Sequence, residues 1–282
     1  MNPFKIGVII DSFKTDIDTA VKSAREVGAQ GIQVYATTGE MSPESLTTAK
    51  KQHFLNMLRD NGLEISALCG DLGGHGFSHA ADNPQRIEKS KRIIDLAMEL
   101  GTNVVTTHIG VIPEDKAHDR YKVLQDACFE LSRYADTLEA HFAIETGPER
   151  AVVLREFLDS LDSTGVAVNL DPANFVMVTG DDPAQAVYTL KDYIVHTHAK
   201  DGIKLLDKSP EIVYGMIEDE IQAGEAFKEL PLGEGHVDFD AYLAALTDIG
   251  YQGYLTIERE CGDDPKGDII TAVNFLNEKI RK

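Results

Sequence analysis

The chain has 282 residues, with 47 Asp and Glu against 27 Lys and Arg, a formal charge of −20, and 43% apolar side chains. A chain this acidic, without a long run of Lys and Arg, is repelled by a phosphate backbone or an anionic membrane, so no nucleic acid and no membrane is expected as partner. Its apolar fraction is that of a folded protein, which excludes disorder.

The first residues, Met1 to Ile6, show no cationic segment leading into an apolar core, and no apolar run reaches the roughly 18 residues of a membrane span. A cytoplasmic location is expected. Cys69, Cys128 and Cys261 are far apart and form no CxxC. They read as small buried side chains in a reducing compartment and argue against thiolate zinc.

In chain order, β-rich runs are predicted at 5–11, 31–35, 64–69, 103–108, 141–146, 166–171, 194–200 and 254–259. Helix-length segments separate them. Four of these are predicted to open with a capping residue and a proline: Ser42-Pro43, Asn83-Pro84, Asp182-Pro183 and Asp264-Pro265. Amphipathic stripes follow at Phe239, Tyr242, Leu243, Leu246 and Ile249, and at Ile269, Val273, Leu276 and Ile280. Eight alternating units over this length, with no flexible linker, predict a single α/β domain, a closed (β/α)₈ barrel covering 1–282. One connection is oversized. Residues 201–235 leave the C-terminal end of the seventh strand, where barrel active sites form, and carry Ile212, Val213, Met216 and Ile217. A short helix in a lid or specificity loop is expected there.

Side chains alternate faces along a strand, so the apolar parity marks the helix-facing side. In the sixth strand Val166, Val168 and Leu170 face out, which turns Asn169 and Asp171 inward. By the same rule Glu145 in the fifth strand and Glu258 in the eighth point inward. In the seventh, the small or branched set Val195, Thr197 and Ala199 is assigned outward, leaving His196 and His198 inward. Glu145, Asp171, His198 and Glu258 then converge at the barrel mouth. Three carboxylates that close cannot all stay ionised without a compensating cation, so one divalent metal ion is expected. The hard donor set prefers manganese, cobalt or magnesium, manganese first, and leaves zinc open. His108 ends the fourth strand with inward parity and is a candidate substrate contact. Asp71, His75 and His79 lie in a Gly-rich loop over the same rim, Glu234 lies between glycines in the returning loop, and His196 is either a substrate contact or a support under His198.

The runs Ile144-Glu145-Thr146-Gly147, Asn169-Leu170-Asp171-Pro172-Ala173-Asn174, His196-Thr197-His198-Ala199-Lys200-Asp201 and Thr256-Ile257-Glu258-Arg259-Glu260 resemble the sugar phosphate isomerase/epimerase family, the xylose-isomerase-like TIM barrels. The stretch 231–235 leading into 251–254 resembles that family's seventh helix and eighth strand, and the resemblance spans essentially the whole chain. It implies a cytoplasmic enzyme of carbohydrate metabolism, an isomerase or epimerase acting on a sugar or sugar phosphate. Glu145 and Glu258 would be both metal ligands and the acid–base pair, with Asp171 and His198 completing the ligand set. The metal would stabilise an enediolate formed beside a carbonyl. Two positions depart from the ketose 3-epimerase pattern: Asn174 stands where a histidine is usual, and Lys204 where an arginine is. Asn174 can bond a substrate hydroxyl, and Lys200 or Lys204 can meet a carboxylate or phosphate. The family's abasic-site endonuclease branch is disfavoured by Asn174 and by the missing cationic face. Two alternatives stay open: a metal-dependent dehydratase or lyase of an inosose-type keto-polyol, and a barrel that binds sugar or metal without turnover. A homo-oligomer is also left open.

Overall fold

The computed structural model describes residues 4–218 and 224–281. Eight parallel strands close into a barrel: β1 (Lys5–Ile9), β2 (Gly31–Tyr35), β3 (Glu64–Cys69), β4 (Val104–Thr107), β5 (His141–Glu145), β6 (Val166–Leu170), β7 (Ile194–Ala199) and, last in the chain, β10 (Tyr254–Ile257). Each neighbours the next around the ring, and β10 pairs with β1 to close it. The helices between them are α1 (Ile17–Val27), α2 (Thr48–Asn61), α3 (Asn83–Leu100), α4 (Asp119–Leu138), α5 (Ala151–Asp159), the single turn α6 (Pro172–Asn174) and α7 (Pro183–Leu190). The last two long ones are α9 (Phe239–Asp248) and α10 (Pro265–Lys279). No described helix is long and apolar enough to cross a membrane.

The main core lies between strands and helices. Phe142, Ile144, Val166, Val168, Leu170, Leu255 and Ile257 meet Leu124, Phe157, Tyr242 and Leu246 there, and each large apolar side chain so buried contributes about 1.5–3 kcal/mol. Within the barrel, Ala67, Val104, Ala143 and Val195 form a small apolar plug. Above it comes a hydrogen-bonded layer of Gln33, Ser66, Thr106, Asn169, His196 and Thr256. The open C-terminal mouth lies on top.

Val195 thus corrects its outward assignment. The register of β6 against β7 shifts between Val168 and Asn169. An extra residue breaks the two-residue alternation, so Val195 and His196 both serve the interior. The proline-headed starts divide. Asp182 and Asp264 cap as expected, accepting from Ala184 N and Gln185 N and from Gly267 N. Ser42 does not: α2 begins after Thr47, whose side chain accepts from Lys50 N, while Ser42 Oγ bonds Gly39 O within a turn. Asn83 also does not cap, because its Nδ2 donates to Phe77 O at 2.9 Å and secures the preceding loop.

The 201–235 connection is built as an antiparallel ribbon, β8 (Asp201–Lys204) with β9 (Phe227–Leu230), enclosing the one-turn helix α8 (Pro210–Val213). Of the apolar residues expected on its helix, only Ile212 and Val213 lie within it. Met216 turns to the barrel mouth and Ile217 is exposed.

Candidate active site

A cavity of about 300 Å³ opens at the C-terminal mouth, at the small end of the range for ligand sites. Glu145, Asp171, His198 and Glu258, all buried, meet at its floor, with one potential ligand atom of each within 4.8 Å of the others. Neighbouring strand ends bring them together. Asp171 follows β6 and caps α6: its Oδ1 accepts from Ala173 N at 2.8 Å and Asn174 N at 3.0 Å. Its Oδ2 remains free and buried, aimed at His198 Nδ1 3.5 Å away.

His198 Nδ1 also lies 3.2 Å from Glu258 and 3.7 Å from Glu145. Its other nitrogen, Nε2, lies 3.1 Å from Gln33 Oε1, and Gln33 donates its own Nε2–H to Thr106 Oγ1. Asn169 Nδ2 lies 3.2 Å from the same His198 Nε2, while Nδ1 faces the three carboxylates. Among the described residues, Asp171 Oδ2 and His198 Nδ1 make no aligned hydrogen bond. Two buried donor atoms left without partners, amid a surplus of negative charge, fit a bound divalent cation. Burial would lower the His198 pKa, but Glu258 and Glu145 overcome it and hold it well above the ordinary value. A proton at Nδ1 and a metal ion answer the same charge.

The two glutamates stand in different surroundings. Glu145 Oε1 accepts from Asn174 Nδ2 at 3.0 Å, and Oε2 from Asn169 Nδ2 at 3.3 Å. Glu258 Oε2 accepts from Lys200 Nζ at 3.0 Å. Burial pushes the Glu258 carboxyl up, yet Lys200 and His198 hold it well below the carboxylate range. Asp171, with no cation bonded directly, is raised by burial.

His108 lines the cavity with Nδ1 3.1 Å from Asp71 Oδ2 and Nε2 3.7 Å from Glu145. Burial opposes its charge, but Glu145 and Asp71 raise its pKa to about 9. Asn174 also faces the cavity. His196 does not line it. Its Nδ1 donates to Asn169 Oδ1 at 2.8 Å, and Nε2 meets Thr256 Oγ1 at 3.0 Å, so it is a neutral support beneath His198. Of the two readings of His196, this placement favours support under His198. Lys200 reaches the cavity, but its ammonium is held by Glu258 and, at 2.8 Å, by Glu260. Lys204 turns away to Val178 O and Asp207. His75, His79 and Asp82 form a second, partly exposed group of donors outside the mouth. Glu234 is exposed, and the glycines flanking it donate to Asp201.

Several lining residues escape the sequence reading. Gln33 and Tyr35 share the inward parity of β2 opposite Ile32 and Val34, so that signal is present. Tyr214 has none, because it arrives from the ribbon. Its ring tilts against His108 with centroids 5.8 Å apart. Gly147, at φ 135°, makes room: a Cβ there would meet Asn174 Cβ at 2.4 Å and the Tyr214 hydroxyl at 2.9 Å.

Glu149, buried behind the cavity, accepts from Ile112 N at 3.4 Å through Oε2, while Oε1 has no partner among the described residues. Burial pushes its pKa to about 8, against 4.5 for an ordinary glutamate. The folded chain therefore binds this proton more tightly. The contribution of Glu149 to stability is full below pH 4.5 and falls as pH rises toward 8. Glu149→Gln is expected to match the parent's Tm at the acid end and exceed it above pH 8. A constant Tm difference across the range would disprove the assignment.

Residues 21–279 match the family model described as xylose isomerase-like TIM barrel. The inosose dehydratase of Bacillus thuringiensis is 27% identical over 175 residues, 57% of this chain and 55% of that protein. The chain spans 64% and 55% of the lengths of the curated relatives it matches. A xylose isomerase domain protein from Planctomyces limnophilus superimposes with a TM-score of 0.79 at 25% identity, covering 99% of this chain and 96% of that one. D-psicose 3-epimerase shares the fold with a TM-score of 0.73 at 15% identity, covering 99% of this chain and 100% of the other. With the closed barrel and the match from Val21 to Lys279, the chain belongs to the xylose isomerase-like TIM barrel family.

Proposed function

We propose that this chain is a divalent-metal-dependent sugar isomerase or epimerase that moves a proton beside a carbonyl. The observation that carries the reading is the convergence of Glu145, Asp171, His198 and Glu258 on one point, with Asp171 Oδ2 and His198 Nδ1 buried and unpartnered. These four residues would hold the ion. When bound, a divalent cation polarises a carbonyl and lowers the cost of the enediolate left by loss of the adjacent proton.

The chain's own residues supply the rest. Glu258, kept ionised by Lys200, is ready to accept a proton. Glu145, oriented by two side-chain amides, serves the other side of the cavity. His108, protonated at neutral pH, donates toward a substrate oxygen, and Asn174 keeps Glu145 in place. Tyr214 and Met216 line the cavity from the side of the ribbon. Return of the proton to the opposite face gives epimerisation, and return to the neighbouring carbon gives isomerisation.

A second reading, loss of water from a keto-polyol, is favoured by the likeness to inosose dehydratase and by the proton available on His108. Incubating the manganese-loaded protein in deuterium oxide with ketoses and keto-inositols separates the readings. Deuterium uptake with inversion or carbonyl shift supports the first, and loss of water the second. Absence of any exchange leaves only binding. Chelation is expected to abolish exchange, and Asp171→Asn to reduce bound manganese to a small fraction of the parent's by elemental analysis. Undiminished manganese in that variant places the ion elsewhere.

A further inference from the structure

We infer that the substrate of this site is an uncharged polyhydroxy carbonyl compound rather than a sugar phosphate or sugar acid. The inference rests on the proton-transfer reading and narrows it. Among the described residues lining the cavity, the only basic side chains are Lys200 and His108, against the carboxylates of Asp71, Glu145, Glu258 and Glu260.

Both basic groups stand against carboxylates. Lys200 Nζ donates to Glu258 Oε2 at 3.0 Å and to Glu260 Oε2 at 2.8 Å, with Glu229 Oε2 4.0 Å away. His108 Nδ1 is held by Asp71, and its Nε2 faces Glu145. Binding a phosphate needs several strong donors, usually charged; here Lys200 would first have to leave two carboxylates, and His108 offers the single N–H at Nε2, 3.7 Å from Glu145.

The surroundings offer no replacement. Lys204 donates to Val178 O and Asp207. Arg86, behind the Gly-rich loop, donates to Gly73 O at 2.6 Å and lies over the Phe77 ring. The Gly73 N–H, which could have cradled an anion, is taken by Asp71 Oδ1 at 2.8 Å. Residues 219–223, outside the described residues, contain no Lys, Arg or His. A net charge of −20 adds to the repulsion.

The same walls suit hydroxyl groups. A neutral polyol brings donors, and Asp71 and Glu260 at the rim are strong acceptors that lose nothing by receiving them. The expectation that Lys200 or Lys204 meets a phosphate is therefore replaced: Lys200 balances the carboxylates, and Lys204 ties the ribbon to the Val178 carbonyl.

The test uses the full chain loaded with manganese and matched probes: a ketohexose, its 6-phosphate and the corresponding ketohexuronate. Deuterium uptake is followed at constant ionic strength, with inorganic phosphate as a competitor. The neutral sugar is expected to exchange with kcat/KM about tenfold or more above its anionic counterparts, and phosphate is expected not to compete. Glu260→Gln, which frees a Lys200 N–H, is expected to raise the anionic-to-neutral ratio several-fold, a gain that a merely structural role of Glu260 would not produce. Preferred exchange of the phosphate or uronate, or competitive inhibition by phosphate, overturns the inference while leaving the proton-transfer reading intact. Absence of exchange with every probe, metal bound, removes that reading and the inference with it.

Discussion

Glu145→Gln and Glu258→Gln are each expected to lose turnover by about 10²- to 10⁴-fold, yet to keep solvent exchange from opposite epimers. The two carboxylates enter from separate strand ends, the last residue of β5 and the residue after β10, with β6 and β7 between them in the ring. If one takes the proton on one side of the substrate carbon and the other returns it on the far side, removal of either base blocks inversion. The surviving base can still exchange the hydrogen it faces. Deuterium at that carbon, read by NMR for each epimer separately, is the measurement. Manganese content must be determined in parallel, because both residues are also proposed ligands. Variants that hold metal but exchange both epimers, or neither, would disprove the two-base arrangement. Glu258→Gln has a second signature. A carboxylate held below its ordinary pKa contributes stability at pH values above the unfolded pKa and loses it as pH falls through the folded one. The variant also takes one carboxylate from Lys200 and His198, which keep Glu260 and Asp171 beside them, so its deficit should be largest at neutral pH and shrink in acid.

Asp201→Ala is expected to destabilise the chain by roughly 3–5 kcal/mol and to raise KM while leaving metal content unchanged. Its carboxylate is buried and accepts four backbone N–H bonds. Oδ1 takes Gly202 N at 2.9 Å and Val237 N at 3.1 Å, and Oδ2 takes Gly233 N at 2.9 Å and Gly235 N at 3.0 Å. Removing the acceptor strands these donors at the base of the ribbon. A Cβ at position 235 would meet Asp201 Oδ1 at 2.0 Å, so the glycine there is required by the close approach. Because the ribbon carries Tyr214 and Met216 over the cavity, a looser base weakens substrate binding more than chemistry. Urea unfolding and steady-state kinetics check both halves. A variant with parent-like stability, or with reduced kcat at unchanged KM, would refute this role.

Much of the barrel is legible in the sequence because its physics is local. Val166, Val168 and Leu170 must face the helices, and that single constraint turns Asp171 inward. The same rule, applied to Phe142 and Ile144 and to Leu255 and Ile257, brings Glu145 and Glu258 to the same mouth. It fails at Val195, since a register shift is a property of two strands and leaves no mark on one. Ser42-Pro43 misleads because a cap and a proline suit a turn as well as a helix, and Thr47 has the better continuation. The ribbon is hard to see: Phe227-Lys228-Glu229-Leu230 alternates weakly, and its partner lies more than twenty residues earlier. Tyr214 and Glu149 acquire their positions from that distant packing and from burial, neither of which a sequence window contains.

Every bond that Asp201 makes to the returning chain goes to a main-chain amide, so the clamp reads backbone shape at Gly233, Gly235 and Val237 and no side chain between the two strands of the ribbon. The residues between Lys204 and Phe227, which include those roofing the cavity, can therefore be rewritten by mutation without disturbing the clamp. Nor does rewriting them touch Glu145, Asp171, His198 or Glu258. The cover is thus a module joined to the barrel at one carboxylate, and changes in it are expected to act on KM before they act on the proposed proton transfer.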